Sequence, residues 1–232
     1  MLISFPCDTN AQRSKGLLSI GFNHYIDNQL LKLDSVNYLN DLGQSYFVSN
    51  FKYYIGNIHL TRKDGKEFIS TDYFLINEDE SASKKIIVSN IPAGEYTSIN
   101  FILGVDSLHN CSGAQSDVLD PINAMFWTWN TGYIFLKLEG KSSASSATGK
   151  IFEYHIGGYK QPSNCIRNIK LKFETPLIIE NGKQVNTIIH VNAAEVLKTP
   201  TSVDFSILPT VTDSKNATTI ADNYMDMFTL EK

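Results

Sequence analysis

Five histidines, three cysteines and two tryptophans are the side chains in this sequence best suited to metal or redox chemistry. His24 lies in LLSIGFNHYI, where alternation places it on one face with Leu18, Ile20, Phe22 and Ile26. A histidine among inward apolar side chains needs either a hydrogen-bond partner or a metal. His155, in IFEYHIG, falls on the face opposite Phe152, Tyr154 and Ile156, and precedes the pair Gly157-Gly158. Such a pair allows a bulge or a close approach of another segment. His59 points away from Ile58 and Leu60, beside Asn57 and Thr61, which predicts a polar face. His190 shares a face with Ile188, and His109 sits in a long polar connection. Imidazole is a ligand for several transition metals, zinc, copper, iron and nickel among them, and the thioether sulfur of Met125, Met225 or Met227 is a soft donor that could join it. Each of those methionines also reads as a gap-filler of an apolar core.

Cys7, Cys111 and Cys165 form no CxxC and no zinc-like spacing. One thiol is left over whatever pairing occurs. A Cys111–Cys165 bridge is one arrangement, and inert buried thiols are the other.

The elements that must position these groups read as strands. Alternating segments occur at 17–26, 52–61, 151–157 and 166–173, separated by turn residues. Asn181-Gly182 predicts a type I′ hairpin between LIIE and VNTIIHV. The Ser-rich segment 141–149 predicts a mobile surface loop. Only the tail has helical spacing, with Ala217, Ile220, Ala221, Tyr224, Met227 and Phe228 on one stripe. Short strands with turns between them and one terminal helix predict an all-β fold. The expected architecture is an antiparallel β-sandwich with long connecting loops and a short C-terminal helix. Residues 1–16 read as an N-terminal tail or the remnant of a signal or lipid anchor, and 17–232 as a single domain.

The longest connection runs from Phe101 to Gly140 and ends in the aromatic cluster Met125, Phe126, Trp127 and Trp129. A connection of that length either packs on itself or carries function. Here it is an Ω-like plug closing one end of the sandwich, or a plug that builds a site.

A hydrophobic content of 42% and a charged content of 19% describe an ordinary globule. A net charge of −4 argues against nucleic acid, which needs a basic face. No apolar run is long enough for a transmembrane segment. The sequence has no GxSxG, HExxH, phosphate loop or dinucleotide fingerprint, and its acidic residues look scattered, so an enzyme is not expected.

GVDSLHN at 104–110, LDPIN at 119–123, MFWTWNTGY at 125–133 and FEYHIGG at 152–158 together resemble the methanobactin-partner (MbnP-like) family. IADNYMDMF at 220–228 is similar to the C-terminal signature of its Bacteroidetes members. The resemblance implies a periplasmic or cell-surface β-sandwich that binds copper. In the better-known branch, histidines and a tryptophan oxidised to kynurenine by a di-haem enzyme of the MauG type make the site. Carried over by position, His24 and His155 become metal ligands and Trp127 and Trp129 the aromatic pair. His59 is a third metal candidate. The branch's Asn-His order is reversed at His109-Asn110, so His109 is not carried over. His24 and His155 are therefore expected to share one cavity beside the tryptophans. An outer-membrane uptake protein is a second partner the resemblance allows. The competing expectation is a metal-free binding or scaffold module of a cell-surface uptake system, in which an exposed tryptophan platform meets the partner.

Overall fold

A computed structural model describes residues 15–127, 132–213 and 216–231. Trp129 and Cys7 lie outside them. Nine main strands follow in order: β1 (Lys15–Ile26), β2 (Ser45–Arg62), β3 (Glu67–Asn77), β4 (Lys85–Pro92), β5 (Gly94–Leu103), β6 (Gly132–Ser142), β7 (Ile151–Gly157), β8 (Arg167–Ile179) and β9 (Gln184–Asn192). Alternation decides which side chains enter the core. In β1, Leu18, Ile20, Phe22 and Ile26 are buried, and so are Phe152, Tyr154 and Ile156 of β7.

The strands form two packed sheets. In the smaller, β1 lies between β9 and β4, and the short strand Phe228–Leu230 extends it beyond β9. In the larger, the order is β8-β5-β2-β6-β7, with β3 also paired to β2. The fold is an all-β sandwich, but not a purely antiparallel one. β1 and β9 run parallel, as do β7 and Thr210–Val211. For β1 and β9 the cause lies in the turn expected to make a hairpin. A type I′ turn needs positive φ at both central residues. Gly182 has φ 69°, while Asn181 does not enter that region. The turn instead carries the chain from β8 in the large sheet across to β9 in the small one.

The register fixes faces. Tyr53, Leu136 and Ile156 form one row across β2, β6 and β7, and Phe51, Leu138 and Tyr154 form the next. These rows face the small sheet, because Phe51 and Tyr53 contact His24 of β1. The rows Lys52–Lys137–His155 and Asn50–Glu139–Glu153 therefore lie on the outer face.

Part of that outer face is covered by the connection after β5. It contains one short helix, α1 (Ser107–Cys111), two single 3-10 turns and the two-residue strand Phe126–Trp127, which pairs with β6. Tyr54 and Tyr133 donate from beneath it to the Val118 and Leu119 carbonyls, each at 2.8 Å. Met125 is fully buried and Trp127 is 9% exposed, so the aromatic end packs back onto the sheet.

Two local expectations fail. The Ser-rich segment is not a free loop, since Ser142 and Ser145 are buried and Ser145 Oγ donates to the Ile151 carbonyl at 2.5 Å. The tail helix α2 spans Ala217–Tyr224 and stops short of Phe228, which opens the strand paired to β9. Sheet pairing there overrides helical spacing. No helix among the described residues is long and apolar enough to cross a membrane.

Candidate metal centre

His24 projects from β1 into the space between the sheets and is 2% exposed. Its Nδ1 lies 2.7 Å from Glu78 Oε2 and its Nε2 lies 2.9 Å from Tyr53 Oη. Burial lowers its pKa, with the Glu78 carboxylate working the other way. The neutral ring thus donates from Nδ1 to Glu78 and accepts the Tyr53 hydroxyl at Nε2. Lys84 adds a second donor to the same Glu78 oxygen at 2.9 Å. Both ring nitrogens are engaged, so His24 is a satisfied core histidine.

His155 lies on the other face of the large sheet. The expectation of one cavity shared by His24 and His155 is therefore corrected: the thickness of a packed sheet separates them. The reason is phase. His24 falls on the inward phase of β1, whereas His155 falls on the outward phase of β7. His59 is also on the outer face, opposite Asn100 of β5, with its Nδ1 3.8 Å from Glu67. It belongs to neither group. His109 is held by its own helix cap: Asp106 accepts from both its backbone N–H and its ring Nδ1, at 2.9 and 2.8 Å. His190 stacks on Tyr25 with ring centroids 3.9 Å apart.

What His155 does meet is acidic. Its Nε2 is 2.5 Å from Glu139 Oε1, while Asn50 Nδ2 donates to Glu139 Oε2 at 2.9 Å. The hydrogen bond from His155 is the main reason that the Glu139 carboxyl is held at about 2. Glu153 stands directly opposite Glu139 across the β6–β7 pair. Ligand atoms of Glu139, Glu153 and His155 all lie within 4.8 Å of one another. Two carboxylates directly opposed across strands repel. Lys137, whose Nζ is 3.9 Å from Glu139, relieves that only in part, since it donates to the Ala124 carbonyl at 2.7 Å.

The acidic residues that looked scattered in sequence are thus paired by the hairpin. Glu153 and His155 share a face by simple alternation, and that signal was available in FEYH. The position of Glu139 depends on the β6–β7 register, which no local pattern encodes.

Trp127 reaches the open end of the hairpin, two residues beyond His155 and farther from the Glu139–Glu153 pair. A Cβ built on Gly157 would stand 2.7 Å from Trp127 Cζ3 and 2.3 Å from the Tyr133 carbonyl oxygen. The glycine after His155 is what lets the indole and the neighbouring backbone approach. The two thiols among the described residues take no part: Cys111 and Cys165 are free, with Cys111 Sγ 3.3 Å from Tyr159 Oη. Of the methionines, Met125 and Met227 are buried in the core and Met225 is exposed.

A family model described as MbnP matches residues 15–218. Among solved structures, MbnP from Methylosinus trichosporium superposes with a TM-score of 0.55 at 12% identity. The alignment covers 83% of this chain and 80% of that one. At that identity the likeness shows the fold. No curated protein matches. With a match that spans most of its length, from the first residue of β1 into α2, the chain belongs to the MbnP family.

Proposed function

We propose that this protein is an extracytoplasmic copper-binding protein, serving metal binding, storage or delivery rather than catalysis. The observation that carries the reading is the Glu139, Glu153 and His155 group at the margin of the Trp127 cover. Family membership supplies the expectation of copper and of a location outside the cytoplasm, and the donor chemistry supports a refinement. One imidazole and two carboxylates are a hard-to-borderline set, and no cysteine among the described residues belongs to it. Such a set suits Cu(II) better than Cu(I). Glu139, Glu153 and His155 would hold the ion, and Asn50 would orient Glu139 through its hydrogen bond. A bound cation would also resolve the repulsion between the facing carboxylates. A di-haem enzyme of the MauG type or an outer-membrane uptake protein remains the partner this reading implies.

The metal-free alternative needs an exposed platform of Trp127 and Trp129; Trp127 is 9% exposed against Gly157, and Trp129 lies outside the described residues. Calorimetric titration with Cu(II) decides between the two. The wild type should bind one ion with proton release, and His155→Ala and the pair Glu139→Gln/Glu153→Gln should each weaken binding by more than the roughly 10–100-fold that losing a hydrogen-bond partner of a ligand costs. His24→Ala should bind as the wild type does. Equal binding by all four proteins would overturn the assignment.

A further inference from the structure

Lys137 carries a charge that the candidate metal centre does not use. It stands between Lys52 and His155 in their row on the outer face of the large sheet, yet it is only 8% exposed. Its Nζ donates to the Ala124 carbonyl of the connection after β5 at 2.7 Å. The same Nζ is 3.9 Å from Glu139 Oε1, the oxygen that meets His155 Nε2. One buried ammonium therefore touches both the centre and the cover beside it.

The cover has two kinds of anchor. Tyr54 and Tyr133 hold it through neutral hydroxyls at the Val118 and Leu119 carbonyls. At Ala124 the anchor is a cation. Ala124 ends the second 3-10 turn, and Met125 then accepts the Ile134 N–H at 2.9 Å before Phe126–Trp127 pairs with β6. A metal ion held by Glu139 Oε1 would lie about 2 Å from that oxygen, and with Nζ 3.9 Å from the same atom the two positive charges come within about 6 Å. Buried charges that close are poorly screened by salt. The ammonium cannot retreat while it keeps its bond, because 2.7 Å is already contact distance. Retreat either carries the Ala124 carbonyl along or leaves it without its donor.

On the copper reading above, from which it follows, we infer that Lys137 couples ion binding to the cover. The closed cover pins a positive charge beside the centre and holds its affinity down, and loading the centre frees residues 124–127. The tyrosine anchors keep 118–119 in place as the hinge. Coupling of this kind is reciprocal. A partner that presses the cover shut favours release of the ion, and one that lifts it favours loading.

Hydrogen exchange of the full chain, read by mass spectrometry with and without Cu(II), tests this. Bound Cu(II) should raise exchange in peptides spanning 122–127 and 132–136 by at least about fivefold, the low end of coupling between sites, and leave β1 and β9 unchanged. Metal-free Lys137→Met should already exchange at the raised rate, and should bind Cu(II) at least about fivefold more tightly than the wild type. A lysine with a purely structural role would loosen the cover when replaced without tightening copper. The coupling is overturned if bound Cu(II) leaves exchange at 122–127 unchanged or lowers it, a result the wild type gives without any variant. It is also overturned if Lys137→Met binds Cu(II) no more tightly. Copper that binds His155→Ala as well as the wild type, or binds neither, instead refutes the centre itself and the coupling with it.

Discussion

The indole of Trp127 lies so close to Gly157 that a β-carbon there would stand 2.7 Å from Cζ3. The backbone carbonyl of Tyr133 closes the same space from the other side, at 2.3 Å from that β-carbon. Gly157→Ala must therefore displace a ring, a strand or both. Overpacking of this kind costs about 1–3 kcal/mol. The expected result is a lowered denaturation midpoint together with a red shift of tryptophan emission, as the indole leaves its 9% exposed position. An unshifted spectrum would show that the ring does not depend on this glycine.

How much of this was legible in the sequence depends on the length scale of each feature. Strand phases were readable, because alternation alone sets them. It put His24 inward and His155 and His59 outward, as found. Phase alone did not reveal that the core face of β1 and the outer face of β7 are different surfaces. That required knowing that the two strands belong to different sheets. Likewise, Glu139 and Glu153 are fourteen residues apart in a sequence with no visible pairing, and only the β6–β7 register brings them together. The Asn-Gly signal at 181–182 was a turn, but the sheet each flanking strand joins is a tertiary decision.

The carboxyl of Glu139 predicts an acid limb. Its value is held at about 2 in the folded protein, chiefly by His155, against 4.5 ordinarily. A carboxyl lowered on folding contributes stability that is present above the unfolded value and is lost as pH falls through the folded one. The window is therefore about pH 4.5 down to about 2, and the contribution at neutral pH is up to about 3 kcal/mol. Chemical denaturation of wild type and Glu139→Gln across that range should give curves that converge as pH falls. Parallel curves would mean that the ion pair does not contribute.

His24 predicts the opposite end of the same experiment. Burial lowers its pKa below 6.5, so the unfolded chain takes up a proton before the folded one does. Its contribution is complete above about pH 6.5 and declines as pH falls below that. His24→Ala removes the donor to Glu78 and the acceptor for the Tyr53 hydroxyl, leaving a half-buried carboxylate and a buried hydroxyl under-satisfied. Because Lys84 still donates to Glu78, the loss is that of hydrogen bonds rather than of an ion pair, and each buried group left unsatisfied costs about 1–3 kcal/mol. The variant should be much less stable at pH 7 and should lose less stability than the wild type on going to pH 5. A stability change under about 1 kcal/mol would contradict the role assigned to this ring.

The final prediction concerns Phe228, where helix gives way to strand. Its ring packs edge-on against Phe101 at 5.2 Å and Tyr53 at 5.7 Å, so it touches the large sheet from the edge of the small one. Its backbone, meanwhile, pairs with Val191 of β9. One residue thus ties the C-terminal segment to both layers. Phe228→Ala removes the ring but leaves the pairing, and truncation of a core aromatic costs about 3–5 kcal/mol. Because Tyr53 also holds His24 through its hydroxyl, the cavity should loosen that hydrogen bond as well. The double variant Phe228→Ala/His24→Ala should therefore be less destabilised than the sum of the single variants, by about 0.5–3 kcal/mol, as coupled neighbours are. Strict additivity in urea denaturation would separate the tail from the His24 network and leave each to act alone.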